Sequence, residues 1–92
     1  MSYNLAFVPS ALEEWRKLDG SIRQVLKRKL EERLANPRVA SARLTGPSPD
    51  RYKIRLRDVG YRLVYEVSDR TVTVTVIAVG RRDDIYNIVV TR

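Results

Sequence analysis

One short segment of the sequence carries a basic residue at every second position. In "RYKIRLR", residues 51–57, each Lys or Arg alternates with a large apolar residue, and Arg62 follows just across a turn. Side chains at alternate positions of an extended strand lie on the same face, so these cations form one charged face. The planar guanidinium of arginine suits phosphate, and lysine can also take up a proton. The pattern therefore predicts a surface that binds an anionic partner.

A simpler explanation is that the charges only keep an exposed strand from aggregating. One or two lysines are normally enough for that purpose, whereas arginine dominates here and like charges would face each other across the hairpin. We therefore favour an anion-binding face. Arg81 and Arg82 follow Gly80 at the end of the last strand and could close this face. Because Gly80 can interrupt the alternation, the sequence does not fix where these two side chains point.

The composition narrows the chemistry that this surface could perform. The chain of 92 residues has a net charge of +7 and contains neither cysteine nor histidine. It therefore lacks the usual zinc ligands and the usual general base at neutral pH, and we predict no metal and no cofactor. The positive charge predicts nucleic acid or an acidic protein as partner. No apolar run approaches the length of a membrane span, so we expect a cytoplasmic protein with no membrane partner.

The hydrophobic periodicity predicts a single α+β domain, residues 1–92, with the element order β-α-α-β-β-β. A strand at residues 3–8 precedes two helices, for which Ser10 and Ser21 are the predicted N-caps of capping boxes. A turn-rich connector at 45–50 leads to strands at 51–57, 62–67 and 71–79. We expect a twisted, mostly antiparallel sheet with the helix pair on one face. The C-terminal "NIVVTR" is short and β-branched, and no helix is predicted there.

The register of the central hairpin follows from the need to bury its apolar side chains on one face. The predicted pairs are Leu56 with Leu63, Ile54 with Tyr65, and Tyr52 with Val67. A slip of one residue would put charge into the core. In this register Lys53, Arg55, Arg57 and Arg62 share the opposite face, away from the helices, and Arg57 lies directly across from Arg62.

The order of several longer segments adds to this interpretation. "LEEWRKLDGSIRQVLKRKLEERLANPRV", "LTG", "YKIRLRDVGYRLVYEV" and "VTVIAVGRRDDIY" follow one another along most of the chain. Together they resemble the RelE family of bacterial toxins. The resemblance implies the toxin of a type II toxin–antitoxin system, a ribosome-dependent endoribonuclease that cuts mRNA in the ribosomal A site. It also implies a RelB-like antitoxin as partner, contacts with ribosomal RNA, and repression of the shared operon, with operator DNA reached only through the antitoxin.

Such cleavage is compatible with the absence of histidine. RNA is cut without a metal or a protein nucleophile when its own 2′-OH attacks the adjacent phosphate. The step needs a base for the 2′-OH, cations around the developing phosphorane, and an acid for the leaving 5′-oxygen. A lysine crowded by like charges can serve as the base, whereas arginine stays protonated and mainly stabilises charge.

The resemblance assigns these roles to particular residues. Lys53 matches the first basic position of the family's motif, and Arg55 matches the second, which is often lysine in relatives, so proton transfer falls more heavily on Lys53. Arg62 in "GYRLVY" and Arg82 in "VGRRD" match the family's two functional arginines. Tyr86 resembles its tyrosine, which stacks on or orients the substrate base; packing on the core is the alternative role for Tyr86, because the spacer after Arg82 is shorter than in RelE.

Two other functions remain open at this point. A ParE-like toxin would share the fold and inhibit DNA gyrase without catalysis, but such an inhibitor has no need of a phosphate-cleaving set of cations. An RNA-binding module without cleavage would interleave stacking aromatic residues with its cations. Here Trp15, Tyr52 and Tyr65 fall on apolar faces, and we expect them in the core.

Overall fold

The computed structural model describes residues 2–46 and 50–92. The elements of these residues are β1 (Asn4–Phe7), α1 (Pro9–Arg16), α2 (Gly20–Ala35), a 3₁₀ turn (Ala40–Ala42), β2 (Arg51–Leu56), β3 (Tyr61–Ser68), β4 (Thr73–Arg81) and α3 (Arg82–Val90). The predicted α+β class is confirmed, and a third helix follows the predicted elements. Part of the predicted connector, residues 47–49, lies outside the described residues.

The strands form one mixed sheet in the order β1-β4-β3-β2. β3 is antiparallel to both of its neighbours, while β1 lies parallel to β4. The expectation of a mostly antiparallel sheet is therefore confirmed. β2, the strand with the alternating cations, lies at one end of this order, so one of its two edges faces away from the sheet.

Helices α1 and α2 pack together on one face of the sheet. Leu26 and Leu30 of α2 are buried against Tyr52 and Tyr65, whose rings stack with centroids 5.7 Å apart. Trp15 is partly buried against the same cluster. Burial of these apolar faces is the main stabilising term for such a domain, and it confirms the predicted helix pair and the predicted core aromatics.

The start of each helix differs from the capping-box prediction. α1 begins at Pro9, after Val8, with no side-chain cap; proline suits this position because its ring presets the helical φ angle. At α2, Asp19 is the N-cap and accepts a hydrogen bond from the Ser21 amide at 3.2 Å. The Ser21 hydroxyl also donates to this carboxylate, and the hydrogen bonds from the hydroxyl and then the amide hold the pKa of the Asp19 carboxyl below its usual range. Both serine caps were wrong because each helix begins before its serine: α1 begins at Pro9, and α2 begins directly after Asp19, which caps as well as serine does.

The register of the β2–β3 hairpin differs from the prediction by two residues. Ile54 pairs with Leu63, and Arg55 rather than Arg57 lies opposite Arg62. The loop between the strands is residues 57–60, and Gly60 adopts a φ of 67° that glycine tolerates without strain. This tight loop lets β3 begin earlier than expected. Because the shift is even, every side chain keeps its predicted face.

Helix α3 covers the other face of the sheet, where no helix was predicted. Ile85 and Val89, one turn apart, are buried against Val64, Ile77 and Ala78. Asp83 and Asp84 lie in its first turn, where negative charge favours the helix dipole. The prediction was wrong because burial of one apolar stripe outweighs the weak strand preference of β-branched residues. Part of the face expected to be open is therefore occupied.

The C-terminus after α3 is tied back to the sheet. Arg92 forms two hydrogen bonds with the Glu14 carboxylate, at 2.8 and 3.1 Å, and a third with the Ile77 carbonyl oxygen at 3.1 Å. The same carboxylate accepts from the Val79 amide at 3.1 Å. These contacts join α1, β4 and the end of α3, so they help to fix the helix that begins at Arg82.

Tyr65 holds the segment before β2 against the core. Its buried hydroxyl donates to the Pro37 carbonyl oxygen at 2.6 Å and accepts from Arg33 at 3.0 Å, and burial raises the pKa of this hydroxyl.

No helix of residues 2–46 and 50–92 is both long and apolar enough to cross a membrane.

We expect Tyr65→Phe to lower the free energy of unfolding by about 1–3 kcal/mol, because the Pro37 carbonyl would lose its partner inside the protein. Urea denaturation followed by circular dichroism measures the change. Tyr61→Phe is the matched control, since the Tyr61 hydroxyl makes no hydrogen bond within the described residues. Equal stability of the two variants would contradict a structural role for the Tyr65 hydroxyl.

Candidate active site

The cations of β2 lie at the edge of the sheet because the strand's apolar positions face the helices. Tyr52 and Ile54 are buried, which turns Lys53 and Arg55 toward the opposite side. Arg55 and Arg57 are exposed, and Lys53 is half-buried. The predicted charged face is thus present along β2, bounded by α3 further across the sheet.

Arginines from three parts of the chain meet at one small pocket of 290 Å³. Its lining residues are Arg55, Leu56, Arg57, Gly60, Arg62 and Arg82. We call it the arginine pocket. Arg55 and Arg62 are directly opposite each other across β2 and β3. The Arg82 amide donates to the Gly60 carbonyl oxygen at 2.8 Å, which brings the start of α3 against the hairpin loop.

The arginine pocket is arranged for an anion. Its described lining contains no carboxylate, so no negative charge within the lining offsets the repulsion between the guanidinium groups. The Nε of Arg62 is buried and has no hydrogen-bond partner among the described residues. A buried donor without a partner costs about 1–3 kcal/mol, and an oxyanion in the pocket would offset the repulsion between the guanidinium groups.

Arg81 and Arg82 point to different places, which the sequence left open. The Arg81 guanidinium lies over the Tyr61 ring, 5.4 Å from its centroid. Arg82 lines the arginine pocket. The arginine that the family resemblance selected is therefore the one that reaches the pocket.

Lys53 lies beside the arginine pocket rather than in it. It lines an adjoining pocket of 220 Å³ together with Arg33, Ser41, Ala42, Arg55 and Arg57. We call this the Arg33 pocket. Arg55 and Arg57 line both pockets and form the wall between them. This arrangement places a lysine on one side of Arg55 and two further arginines on the other.

Tyr86 lies in neither of these pockets. It is 39% exposed and lines a separate groove of 380 Å³ with Leu44, Arg51 and Val89. The buried position of this helical turn is taken by Ile85, so the alternative of core packing does not describe Tyr86. Its place is one helical turn beyond Arg82, and its contact with a substrate base remains a prediction.

Two contributors to this region were not among the predicted site residues. Arg57 was noted as part of the charged face, and its position two residues after Arg55 was a sufficient signal. Arg33 comes from α2, where basic residues alternate with acidic ones and give no indication that one of them reaches the edge of β2.

The chain matches a known toxin family over most of its length. Residues 5–86 match the family model described as "ParE toxin of type II toxin-antitoxin system, parDE". The chain is also 50% identical to the mRNA interferase toxin RelE of Escherichia coli strain K12, over an alignment that covers 100% of this chain and 98% of the relative.

Solved structures of E. coli RelE superpose closely on the model. An arginine-to-alanine double mutant of the free toxin has a TM-score of 0.90 at 49% identity, covering 100% of this chain and 98% of the other. The toxin in the intact E. coli RelBE toxin–antitoxin complex has a TM-score of 0.84 at 52% identity, covering 87% and 96%. Likeness in sequence and fold along the full length shows that the chain belongs to the RelE family of toxins.

Proposed function

We propose that this RelE-family chain is an mRNA interferase, the toxin of a type II toxin–antitoxin system that cleaves mRNA in the ribosomal A site. The observation that carries the proposal is the meeting of Arg55, Arg62 and Arg82 at the arginine pocket, with Lys53 in the adjoining pocket. The name of the relative at 50% identity, an mRNA interferase, supports the same function.

In the proposed reaction the substrate supplies its own nucleophile. The 2′-oxygen attacks the adjacent phosphorus, the bond from phosphorus to the 5′-oxygen breaks, and the products carry a 2′,3′-cyclic phosphate and a 5′-OH. Lys53 takes the proton from the 2′-OH. The leaving 5′-oxygen takes a proton from water, and Lys53 returns the proton that it took to the solvent. No metal ion takes part.

The arginines are assigned to charge rather than to proton transfer. Arg62 and Arg82 bind the phosphate oxygens, whose negative charge grows in the transition state. Arg55 stands between them and Lys53. A guanidinium stays protonated at physiological pH, so the position of Arg55 suits stabilisation of charge at the reacting phosphate.

An antitoxin of the RelB type is the proposed protein partner. The groove beside α3 has an apolar rim in which Val90 is 79% exposed, and it is also lined by Arg51, which pairs with Glu66 at 3.2 Å. An acidic, amphipathic segment would fit both features. E. coli RelE forms a complex with RelB. We propose that the corresponding pair represses its own operon, with the antitoxin making the contacts to operator DNA.

Primer extension on mRNA from programmed ribosomes tests the proposal. We expect new 3′ ends within the A-site codon when the toxin is added, and none when ribosomes are left out or antitoxin is present in excess. Because the matched family model carries the ParE name, DNA gyrase supercoiling is measured alongside. Gyrase inhibition with intact mRNA would replace the proposed function by the ParE-like one.

Association with ribosomes should weaken steeply as salt rises, because the net charge of +7 would be neutralised by phosphates of ribosomal RNA and mRNA. For each phosphate contacted, log K should fall by about 0.7–0.9 per unit of log salt concentration. Sedimentation binding at several potassium chloride concentrations measures the slope. Sucrose at matched osmolarity is the control, since it does not screen charge. A salt-independent affinity would contradict an electrostatic interface.

A further inference from the structure

Arg33 reaches from α2 to β2, the edge strand of the sheet. Its Nη1 donates to the Lys53 carbonyl oxygen at 3.1 Å and to the Tyr65 hydroxyl at 3.0 Å. Its guanidinium lies 5.9 Å from the centroid of the Tyr65 ring, which is fully buried. The charge of Arg33 is therefore held in place by the core rather than moving freely in solvent.

This fixed charge completes the Arg33 pocket. Arg33, Lys53, Arg55 and Arg57 surround the pocket, and its described lining contains no carboxylate. Holding like charges together is unfavourable unless an anion lies between them. Ser41 adds a hydroxyl donor to the lining. Both hydrogen bonds that Arg33 makes with described residues come from Nη1. Its Nη2 and Nε have no acceptor among residues 2–46 and 50–92 and can bind a ligand.

The Arg33 pocket and the arginine pocket are neighbours with a common wall. Arg55 and Arg57 line both of them. Residues two apart on a strand are separated by roughly 6.4–6.8 Å along it, so Lys53, Arg55 and Arg57 present a row of evenly spaced cations. A single nucleic acid strand carries one phosphate per nucleotide, and cationic grooves follow such a backbone phosphate by phosphate.

We infer that the Arg33 pocket binds a second phosphate of the same mRNA, the one on the 5′ side of the nucleotide whose 2′-OH attacks. This subsite rests on the proposed function. The choice of the 5′ rather than the 3′ phosphate follows from where the proton acceptor and the phosphate-binding arginines lie. Lys53, which takes the proton of that 2′-OH, lines the Arg33 pocket, whereas Arg62 and Arg82, which bind the scissile phosphate, line the other.

Binding of the neighbouring phosphate is the same before and during the reaction, so it should act on KM rather than on kcat. We expect Arg33→Gln to lower kcat/KM on programmed ribosomes on the order of tenfold. Arg28→Gln is the matched control, because it removes the same charge from the exposed side of the same helix. It should leave kcat/KM within about twofold of wild type.

A cycle that combines the protein and RNA changes tests the contact itself. One mRNA carries a neutral methylphosphonate at the phosphate 5′ to the attacking nucleotide, and a second carries it at the phosphate 3′ to the scissile one. All mRNAs, including the unmodified reference, have 2′-deoxyribose at the nucleotides whose 2′-OH would otherwise attack these neutral linkages. Wild type and Arg33→Gln are compared on each mRNA.

The 5′ methylphosphonate should slow cleavage by the wild-type protein about as much as the Arg33→Gln substitution does, on the order of tenfold. It should not slow cleavage by Arg33→Gln any further. The 3′ methylphosphonate should slow both proteins equally. Independent, multiplicative losses at the 5′ phosphate, or coupling at the 3′ phosphate instead, would overturn the subsite while leaving the proposed function in place. If the wild-type protein cleaved none of these mRNAs, both the subsite and the proposed function would be contradicted.

A second variant tests the inference even if Arg33→Gln does not fold. Thermal melting followed by circular dichroism shows whether the variant is folded. Ser41 is exposed on the 3₁₀ turn, so Ser41→Ala keeps the core intact and enters the same cycle. It should also lose its effect when the 5′ phosphate is neutral, and an unchanged effect would count against the subsite.

Discussion

Replacing Lys53 by alanine is expected to slow mRNA cleavage on programmed ribosomes by roughly 10²–10⁴-fold, the usual contribution of a general base. Lys53 is the lysine of the candidate site and lies beside Arg55, within a group whose other cations are arginines. Because guanidinium groups do not readily give up or accept protons at neutral pH, the arginines that share its pocket could not take over its role. Single-turnover cleavage with toxin in excess measures the loss.

Two conservative exchanges separate the proton from the charge. Lys53→Arg keeps the positive charge but cannot accept the 2′-OH proton, so it should be almost as slow as Lys53→Ala. Arg55→Lys keeps the positive charge at a residue whose proposed role is to stabilise charge at the reacting phosphate, so we expect this variant to retain much of the activity. A fully active Lys53→Arg variant would leave the protein an endoribonuclease but remove Lys53 as its base.

Removing either Arg62 or Arg82 is expected to slow cleavage on the order of 10²–10³-fold, as for other groups that stabilise transition-state charge. Both guanidinium groups line the arginine pocket, and the buried Nε of Arg62 lacks a partner among the described residues. The alanine substitutions should lower kcat by a larger factor than they raise KM, because the charge on the phosphate oxygens grows as the reaction proceeds.

Arg81→Ala is the matched control for Arg82→Ala. The two residues are adjacent, carry the same charge and are both exposed, but Arg81 lies over the Tyr61 ring instead of lining the pocket. Its removal should leave the single-turnover rate within about tenfold of wild type. If Arg81→Ala and Arg82→Ala lost equal activity, general attraction of RNA would explain the arginines better than a defined phosphate site.

The faces of the hairpin could be predicted from the sequence, but its register could not. Alternation of apolar and basic residues along β2 determines which side chains enter the core, and that assignment is confirmed by the buried Tyr52 and Ile54. A shift of two residues keeps every apolar side chain on the same face. The hydrophobic pattern therefore cannot distinguish Arg57 from Arg55 as the residue opposite Arg62, and the loop that ends at Gly60 decides it.

Helix α3 illustrates the limit of local preference. Its sequence is rich in β-branched residues, and it becomes helical because Ile85 and Val89 fit a groove on the sheet. That groove exists only once β3 and β4 are paired, so no segment of the sequence reports it. Since α3 begins at Arg82, the same event brings this arginine to the pocket.

The candidate site was predictable where it lies on one strand and unpredictable where it draws on separate elements. Lys53, Arg55 and Arg62 follow from one hairpin and were found by pattern and family resemblance together. Arg33 joins from α2 only through its contacts with Tyr65 and the Lys53 backbone. Tyr86 was selected by resemblance alone, and the structure places it in the groove beside α3.

Cleavage of an mRNA that lacks a single hydroxyl tests the central claim most directly. Ribosomes are programmed with an all-ribose mRNA or with one that has 2′-deoxyribose only at the attacking nucleotide of the A-site codon. We predict that the wild-type protein cuts the first to give a 2′,3′-cyclic phosphate and a 5′-OH, and leaves the second intact at that bond. Equal cutting of both mRNAs would contradict attack by the 2′-OH, and survival of both would contradict the assignment as an mRNA interferase.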